Sequence, residues 1–391
     1  MKLEIKNLEK AAERILRAIE NQEKIVLYGD ADLDGVSSVI ILEETIKTLG
    51  GRIKAIYFPD REVEGYGINE TAVKFLKKYS PALLVAVDCG IGNFKEIKLA
   101  RKFGFKVIVL DHHEILDKIP AADIVVDPKQ KGDRYPFKKL AAAGLIFKLA
   151  EVLLEKSGKK TTPNLRKSFL ELAALATIAD MMPRESENRT FIEEGLASIK
   201  NSFRPGVRIF FQIDFFNKYP EINQKISKII SILNVRDVKK RLPASFRLLT
   251  SPSSEKAKNI VKTLLAKSEI RKEKIEKTVA EIEKRMENRE GAFRKDSLVF
   301  EGDADFDSSS LSSAASIICR TYSKPVFLYK RMAQESQGTV RAPAKVDSVA
   351  LMKKCSGYLL TFGGHPPASG FRIKNKNLEK FRTCLLKNFK P

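Results

Sequence analysis

DADLDG, residues 30–35, follows directly on the apolar run Ile25-Val26-Leu27 and leads into VSSVIILEETIKTLG, whose apolar spacing predicts a helix opening at Gly35. The stretch reads as a strand that ends in alternate acids. Residues two apart in extended backbone share a face, so Asp30, Asp32 and Asp34 are expected to aim three carboxylates at one place. Such a cluster repels itself unless a cation neutralises it, and its hard oxygen ligands favour Mg²⁺ or Mn²⁺ over zinc. Taken alone, the six residues read equally well as a solvated turn with N-capping aspartates.

Around this stretch the first half of the chain alternates apolar runs with helical periodicity. KIVLYG (24–29), RIKAIYF (52–58), LLVAVDCG (83–90), KVIVLDHH (106–113) and ADIVVDPK (122–129) are five expected strands, mostly continuous in Val, Ile, Leu and Ala, as strands buried on both faces should be. Amphipathic stretches such as NETAVKFLKKYS lie between them. The alternation predicts an α/β fold with a mostly parallel five-stranded sheet. Asp88, Asp111-His112-His113 and Asp127 stand at the ends of these runs. In an open parallel sheet the carboxyl ends of the strands form the ligand crevice, so Asp30, Asp32, Asp34, Asp88, Asp111, His112 and His113 are expected to converge on a metal site. The adjacent histidines can both reach the crevice at a strand end, one as ligand and one as substrate contact. Asp180, near the end of the apolar helix FLELAALATIADMMP, is either a water-facing terminal residue or a buried ligand.

Lys+Arg of 71 against Asp+Glu of 49 leaves a net charge of +22, which fits a protein that handles polyphosphate or nucleic acid better than a metabolic enzyme. Cys89, Cys319, Cys355 and Cys384 lie far apart without CxxC spacing, which predicts neither disulfides nor a zinc site and fits a reducing cytoplasm. The N-terminal MKLEIKNLEKAAERILRAIE mixes acids and bases at helical spacing, unlike a signal peptide. No apolar run approaches the ~20 residues needed to span a bilayer, so a soluble protein with no membrane contact is expected.

Past residue 205 the composition changes. Residues 206–253 are mixed and basic, with Lys239, Lys240 and Arg241 in one run, and 254–289 is a long charged helical pattern that reads as a connector whose bases can line a phosphate-tracking groove. Beyond 290 a small α/β unit has SLVFEG and PVFLYK as expected strands, then the Gly-rich FGGHPPASGF. Gly363 and Gly364 let backbone N–H groups approach a phosphate, and His365 and Arg341 supply charge or hydrogen bonds. The expected domains are 1–205, 206–290 and 291–391.

These stretches together resemble the DHH phosphoesterases and, within them, the RecJ-type single-strand exonucleases. YGDADLDGVSS resembles the first metal motif, FPDREVEGYGIN the family's Pro-x-Arg-x-x-Glu-Gly-Tyr-Gly segment, VAVDCG the second motif, LDHHE the third and TIADMMP the fourth. DPKQKGDRYPFKKLAAAGLIFKLA is similar to the connecting stretch, and GTVRAP and FGGHPPASGF to the signatures of the DHH-associated domain. Tyr28 stands where other branches have a histidine ligand, which favours the RecJ branch over the pyrophosphatases. The departures are Ala31 in place of an aromatic residue, Ser309 and Ser312 in place of glycines, and an Asn-Ala-Ala-Gly-Arg signature visible only dimly at Asn234-Val235-Arg236. Ending soon after Gly370, the chain resembles the shorter archaeal relatives without the bacterial OB-fold.

The resemblance implies an N-terminal DHH domain, a long connecting helix and a smaller DHH-associated domain, with two Mn²⁺ or Mg²⁺ ions. Asp32 and Asp34 would each hold one ion, Asp88 would bridge them, and His112 and Asp180 would complete the coordination of the second ion. Asp30 and Asp111 would act as ligands or orient His112, and His113 would contact the scissile phosphate. His113, Asp111 and Asp88 are then the catalytic set, and Arg61, Arg236, Arg341, Gly363, Gly364 and His365 the substrate contacts. The implied activity is exonucleolytic release of mononucleotides from single-stranded DNA or RNA in repair or replication. Two other readings stand beside it. One is a phosphodiesterase for short oligoribonucleotides, 3′-phosphoadenosine phosphate or cyclic dinucleotides; the other is a replisome component that binds the GINS complex.

Overall fold

In the computed structural model, which describes residues 4–61, 63–115, 118–235, 237–287 and 297–389, all five expected strands form. They are β1 (Ile25–Gly29), β2 (Ile53–Tyr57), β3 (Ala82–Val87), β4 (Phe105–Leu110) and β5 (Ile124–Val126). Their order is β2-β1-β3-β4-β5, and every pairing is parallel. β1 and β3 are buried along their whole length, which explains their unbroken apolar runs.

Alternate residues feed two cores. Ile25, Leu27, Leu83, Val85, Ile108 and Leu110 pack on one face with α1 (Leu8–Glu20), α2 (Leu33–Thr48), α5 (Ala142–Lys156) and α6 (Pro163–Ala179). Val26, Tyr28, Leu84, Ala86, Val107 and Val109 face α3 (Glu70–Leu76) and α4 (Phe94–Lys102) on the other. Helices thus cover both faces, and the carboxyl ends of the strands are the place where an open parallel sheet forms its crevice.

The chain divides into two compact units, 1–265 and 266–391. The expected connector therefore does not stand apart from residue 206 onward. α7 (Ser186–Ser198), α8 (Pro205–Arg208), α9 (Ile222–Leu233), the hairpin β6 (Val238–Lys239)–β7 (Leu242–Pro243) and α10 (Ala244–Leu249) all belong to the first unit. Val207, Phe210, Ile229, Leu233 and Leu248 join its larger core, and their apolar character is what draws the segment in. The long helix α11 (Ser254–Glu287) matches the expected charged pattern.

The second unit is a sheet of order β11-β12-β10-β9-β8, built from β8 (Val299–Asp303), β9 (Val326–Arg331), β10 (Glu335–Arg341), β11 (Leu359–His365) and β12 (Ala368–Lys374). Only β8 and β9 pair in parallel. Gly363 and Gly364 lie on the edge strand β11 and pair with Gly370 and Ser369, so the Gly-rich stretch is a hairpin arm rather than a loop. One further expectation is corrected: Cys355 and Cys384 form a disulfide joining Cys355, which caps helix Ser348–Lys354, to helix Leu378–Asn388. Residues 29 apart in sequence meet because both helices pack on one core, which spacing alone does not reveal, and the argument from cysteine spacing to a reducing compartment falls with it. No described helix is long and apolar enough to cross a membrane.

Candidate metal centre

The first carboxylates converge for a different reason from the expected alternation. β1 stops at Gly29, and Asp32 is the N-cap of α2, its Oδ1 accepting from the N–H groups of Asp34 and Gly35, each at 3.1 Å. The helix starts at Leu33, two residues before Gly35, and places Asp34 in its first turn. Gly35 packs on the turn itself, where a Cβ would stand 2.4 Å from the Asp30 carbonyl oxygen. Asp34 then points at the N-terminus of α5, where Ala142 N–H and Ala143 N–H donate to its two oxygens at 2.8 Å. Asp30 is buried, and its carboxylate accepts a forked bond from Arg61, with Nε at 2.8 Å from Oδ1; Arg61 Nη2 also reaches Asp32 Oδ2 at 2.9 Å.

Asp88 follows β3 with φ of 60°, a left-handed conformation uncommon for a residue with a side chain, and it turns the carboxylate into the crevice. Its Oδ1 is buried, makes no hydrogen bond, and lies 3.1 Å from His112 Nε2. Beyond β4, Asp111 is fully buried and accepts from Ile91 N–H and from His113 Nδ1 at 2.8 Å. His112 instead donates from Nδ1 to the Leu140 carbonyl at 2.8 Å. Asp111 therefore holds the His113 ring through Nδ1 and the His112 main chain through its N–H, at 2.8 Å each.

With its Nδ1–H given to the Leu140 carbonyl, His112 turns Nε2 toward Asp88 Oδ1 at 3.1 Å, Asp34 Oδ2 at 3.6 Å and Asp180 Oδ2 at 3.7 Å. Three carboxylate oxygens around one imidazole nitrogen make a donor set of the kind that divalent cations take. Asp180 reaches it as the C-cap of α6. Burial, and then the neighbouring acids, push Asp88 and Asp180 well above the usual carboxylate range and Asp34 up to about 7. Asp111 differs. Burial pushes it up, but the charge and hydrogen bond of His113, with His112 and Ile91 N–H, hold it below that range. Ligand atoms of Asp34, His112 and Asp180 lie within 4.8 Å of one another, as do those of Asp30, Asp32 and Asp88. Asp88 stands at the junction of the two sets. The residues present therefore fit two divalent ions.

Three contributors were not legible as site residues. Tyr66, within the quoted FPDREVEGYGIN, brings its hydroxyl 3.1 Å from His113 Nε2 and lies 5.5 Å from the Arg61 guanidinium. Asn234 Oδ1 accepts from Leu33 N–H at 3.3 Å, which ties the end of α9 to the metal turn. Arg241, in the Lys-Lys-Arg run, bonds the Tyr57 hydroxyl and approaches Glu64 to 3.6 Å. Arg236 lies outside the described residues. In the second unit, Arg341 and His365 sit abreast, both in register with Ala368, and Arg341 donates to Ser316 and Thr339.

Residues 24–177 match the N-terminal domain of the DHH family and residues 295–390 the DHHA1 domain. The chain is 31% identical over 389 residues to the single-stranded-DNA-specific exonuclease RecJ of Bacillus subtilis, covering 98% of this chain and 48% of that protein. To the Thermus thermophilus protein of the same name it is 30% identical, covering 97% and 54%. The chain thus spans about half the length of these curated relatives. Among solved structures it is similar to exonuclease RecJ bound to manganese, at 27% identity and a TM-score of 0.77 over 99% of this chain and 96% of that one.

Proposed function

The chain belongs to the DHH family, and from that premise we propose that it is a divalent-metal-dependent exonuclease that removes mononucleotides from single-stranded DNA or RNA. The observation that carries this reading is the convergence of His112 Nε2 with the oxygens of Asp34, Asp88 and Asp180. Asp32, Asp34, Asp88, His112 and Asp180 would hold two Mn²⁺ or Mg²⁺ ions, with Asp30 beside them. When bound, such a pair polarises phosphoryl oxygens and lowers the pKa of a water at neutral pH. The chain's own residues do the rest. Asp111 holds the His113 ring through Nδ1–H, so that Nε2, when it too carries a proton, and the Tyr66 hydroxyl are the donors that meet a phosphoryl oxygen. Arg61, forked on Asp30 and touching Asp32, places its guanidinium beside the same phosphate.

Single-stranded nucleic acid is the partner this reading takes, and the net charge of +22 supports it over the short-substrate alternatives. Nothing on the described residues favours the GINS complex as a second partner. The test is a Mn²⁺-dependent time course on DNA and RNA strands labelled separately at each end, with His112→Ala alongside. Release of labelled mononucleotide from one end, lost in the variant, is expected. Survival of long strands while two- to four-residue oligomers disappear would move the activity to short substrates.

A further inference from the structure

Outside the crevice, the edge of the first sheet carries a ladder of alternating aromatic rings and cations. The Arg241 guanidinium carbon lies 4.8 Å from the centre of the Tyr57 ring and 4.5 Å from that of Phe75, and Lys78 Nζ stands 3.9 Å from the centre of the Phe75 ring. The inner rung is anchored, because the Tyr57 hydroxyl donates to Glu64 Oε1 at 2.5 Å within the segment that bears Arg61 and Tyr66. The outer rungs are open to solvent: Phe75 is 38% exposed and the Arg241 side chain 42%.

The hairpin that delivers Arg241 is itself unusual. Lys240 and Arg241 form the two-residue turn between β6 and β7 with φ of 52° and 63°. Such turns favour Asn-Gly, because side chains are strained there. Strain of this kind persists where the surroundings over-determine it, here through the two rings, the Tyr57 hydroxyl and Glu64, and it presents exposed Lys239 and Lys240 beside the ladder.

We propose that Phe75 and Lys78, continuing outward from Arg241, form a track that holds the nucleotides of a single strand beyond the scissile bond, a reading that rests on the exonuclease assignment. A strand's bases stack on aromatic faces without regard to sequence, and its phosphates follow the cations between them. The excess of positive charge along the ladder, set against the one carboxylate of Glu64 in contact with Arg241, selects an anionic occupant.

The test is the anisotropy of a labelled oligothymidylate long enough to leave the crevice, with EDTA present to stop cleavage, for the wild type, Phe75→Ala, Phe75→Tyr and Lys78→Ala. Phe75→Ala is expected to weaken binding about tenfold. Phe75→Tyr should restore it, and Lys78→Ala should reduce the slope of log affinity against log salt by about 0.7. With Mn²⁺ restored, both alanine variants should cleave a labelled dinucleotide at the wild-type rate. Wild-type affinity and slope in both variants would overturn the track while leaving the exonuclease reading intact, as would dinucleotide cleavage that falls in step with strand binding. Conversely, a wild type that cleaves nothing yet binds strands through Phe75 would retain the track and remove the exonuclease reading.

Discussion

The two five-stranded sheets place their chemistry differently. In the first, every strand runs the same way, so Asp30, Asp88, Asp111 and Asp127 all emerge at one end, and their mutual repulsion is concentrated there. In the second, neighbouring strands mostly run oppositely, and its interior is a cluster of rings, Phe300, Phe327, Phe371 and Phe381, with a disulfide behind it. Parallel order collects charge and leaves a site that is most stable with a cation bound. Mixed order scatters the strand ends and leaves stability to apolar burial and a covalent tie.

The largest effect expected from that contrast is on activity. His112→Ala or Asp34→Ala should lower cleavage at least about a thousandfold, equal to about 4 kcal/mol of transition-state stabilisation, while strand binding stays largely intact. Steady-state cleavage and anisotropy on the same preparations check this, and parallel loss of both would mean that the acids organise the fold rather than the chemistry. Next is the covalent tie. Reducing Cys355–Cys384, which closes a loop with a sequence separation of 29, should destabilise the second unit by about 3.5 kcal/mol. Faster hydrogen exchange in 359–374, with the first sheet unchanged, is the expected signature. Mn²⁺ at about a hundred times its Kd should act on the other side of the comparison, stabilising the first unit by about 2.7 kcal/mol. Slower exchange around residues 30–35 and 108–113 would be seen in the wild type and not in Asp34→Ala.

The same contrast governs what the sequence discloses. β1 and β3, buried along their whole length, must be apolar throughout, and the other three strands keep mostly apolar runs, so all five are legible and the acids at their ends stand out against that background. β10 reads Glu-Ser-Gln-Gly-Thr-Val-Arg, and β11 carries two glycines; half-exposed strands of this kind share their composition with loops, and only β8 and β9 are legible in the second sheet. Within the site, residue types are readable and backbone donors are not. The Ala142 and Ala143 N–H groups that grip Asp34, and the Leu140 carbonyl that fixes His112, leave no mark on residue identity. The roles of Arg241 and Tyr57 rest on a contact across 184 positions that no local pattern encodes.

Asp127 offers the finest test, because parallel order delivers it to the crevice end without including it in the cluster. It is fully buried, Lys129 N–H donates to Oδ1 at 2.7 Å, and Oδ2 makes no hydrogen bond. Burial, and then the charge of Asp111, push its carboxyl up to about 8. Between the ordinary aspartate pKa near ~4 and that value, the folded chain keeps a proton that the unfolded chain has released. Stability from this group is therefore fully present below pH ~4 and lost as pH rises toward 8. Asp127→Asn, which retains the acceptor for Lys129, removes that loss. The variant should match the wild type at low pH and exceed it increasingly as the pH rises toward 8, read from urea midpoints at the two pH values. A difference that does not grow with pH would mean that Asp127 is ionised in the fold, and that the parallel sheet bears no electrostatic cost beyond the metal ligands themselves.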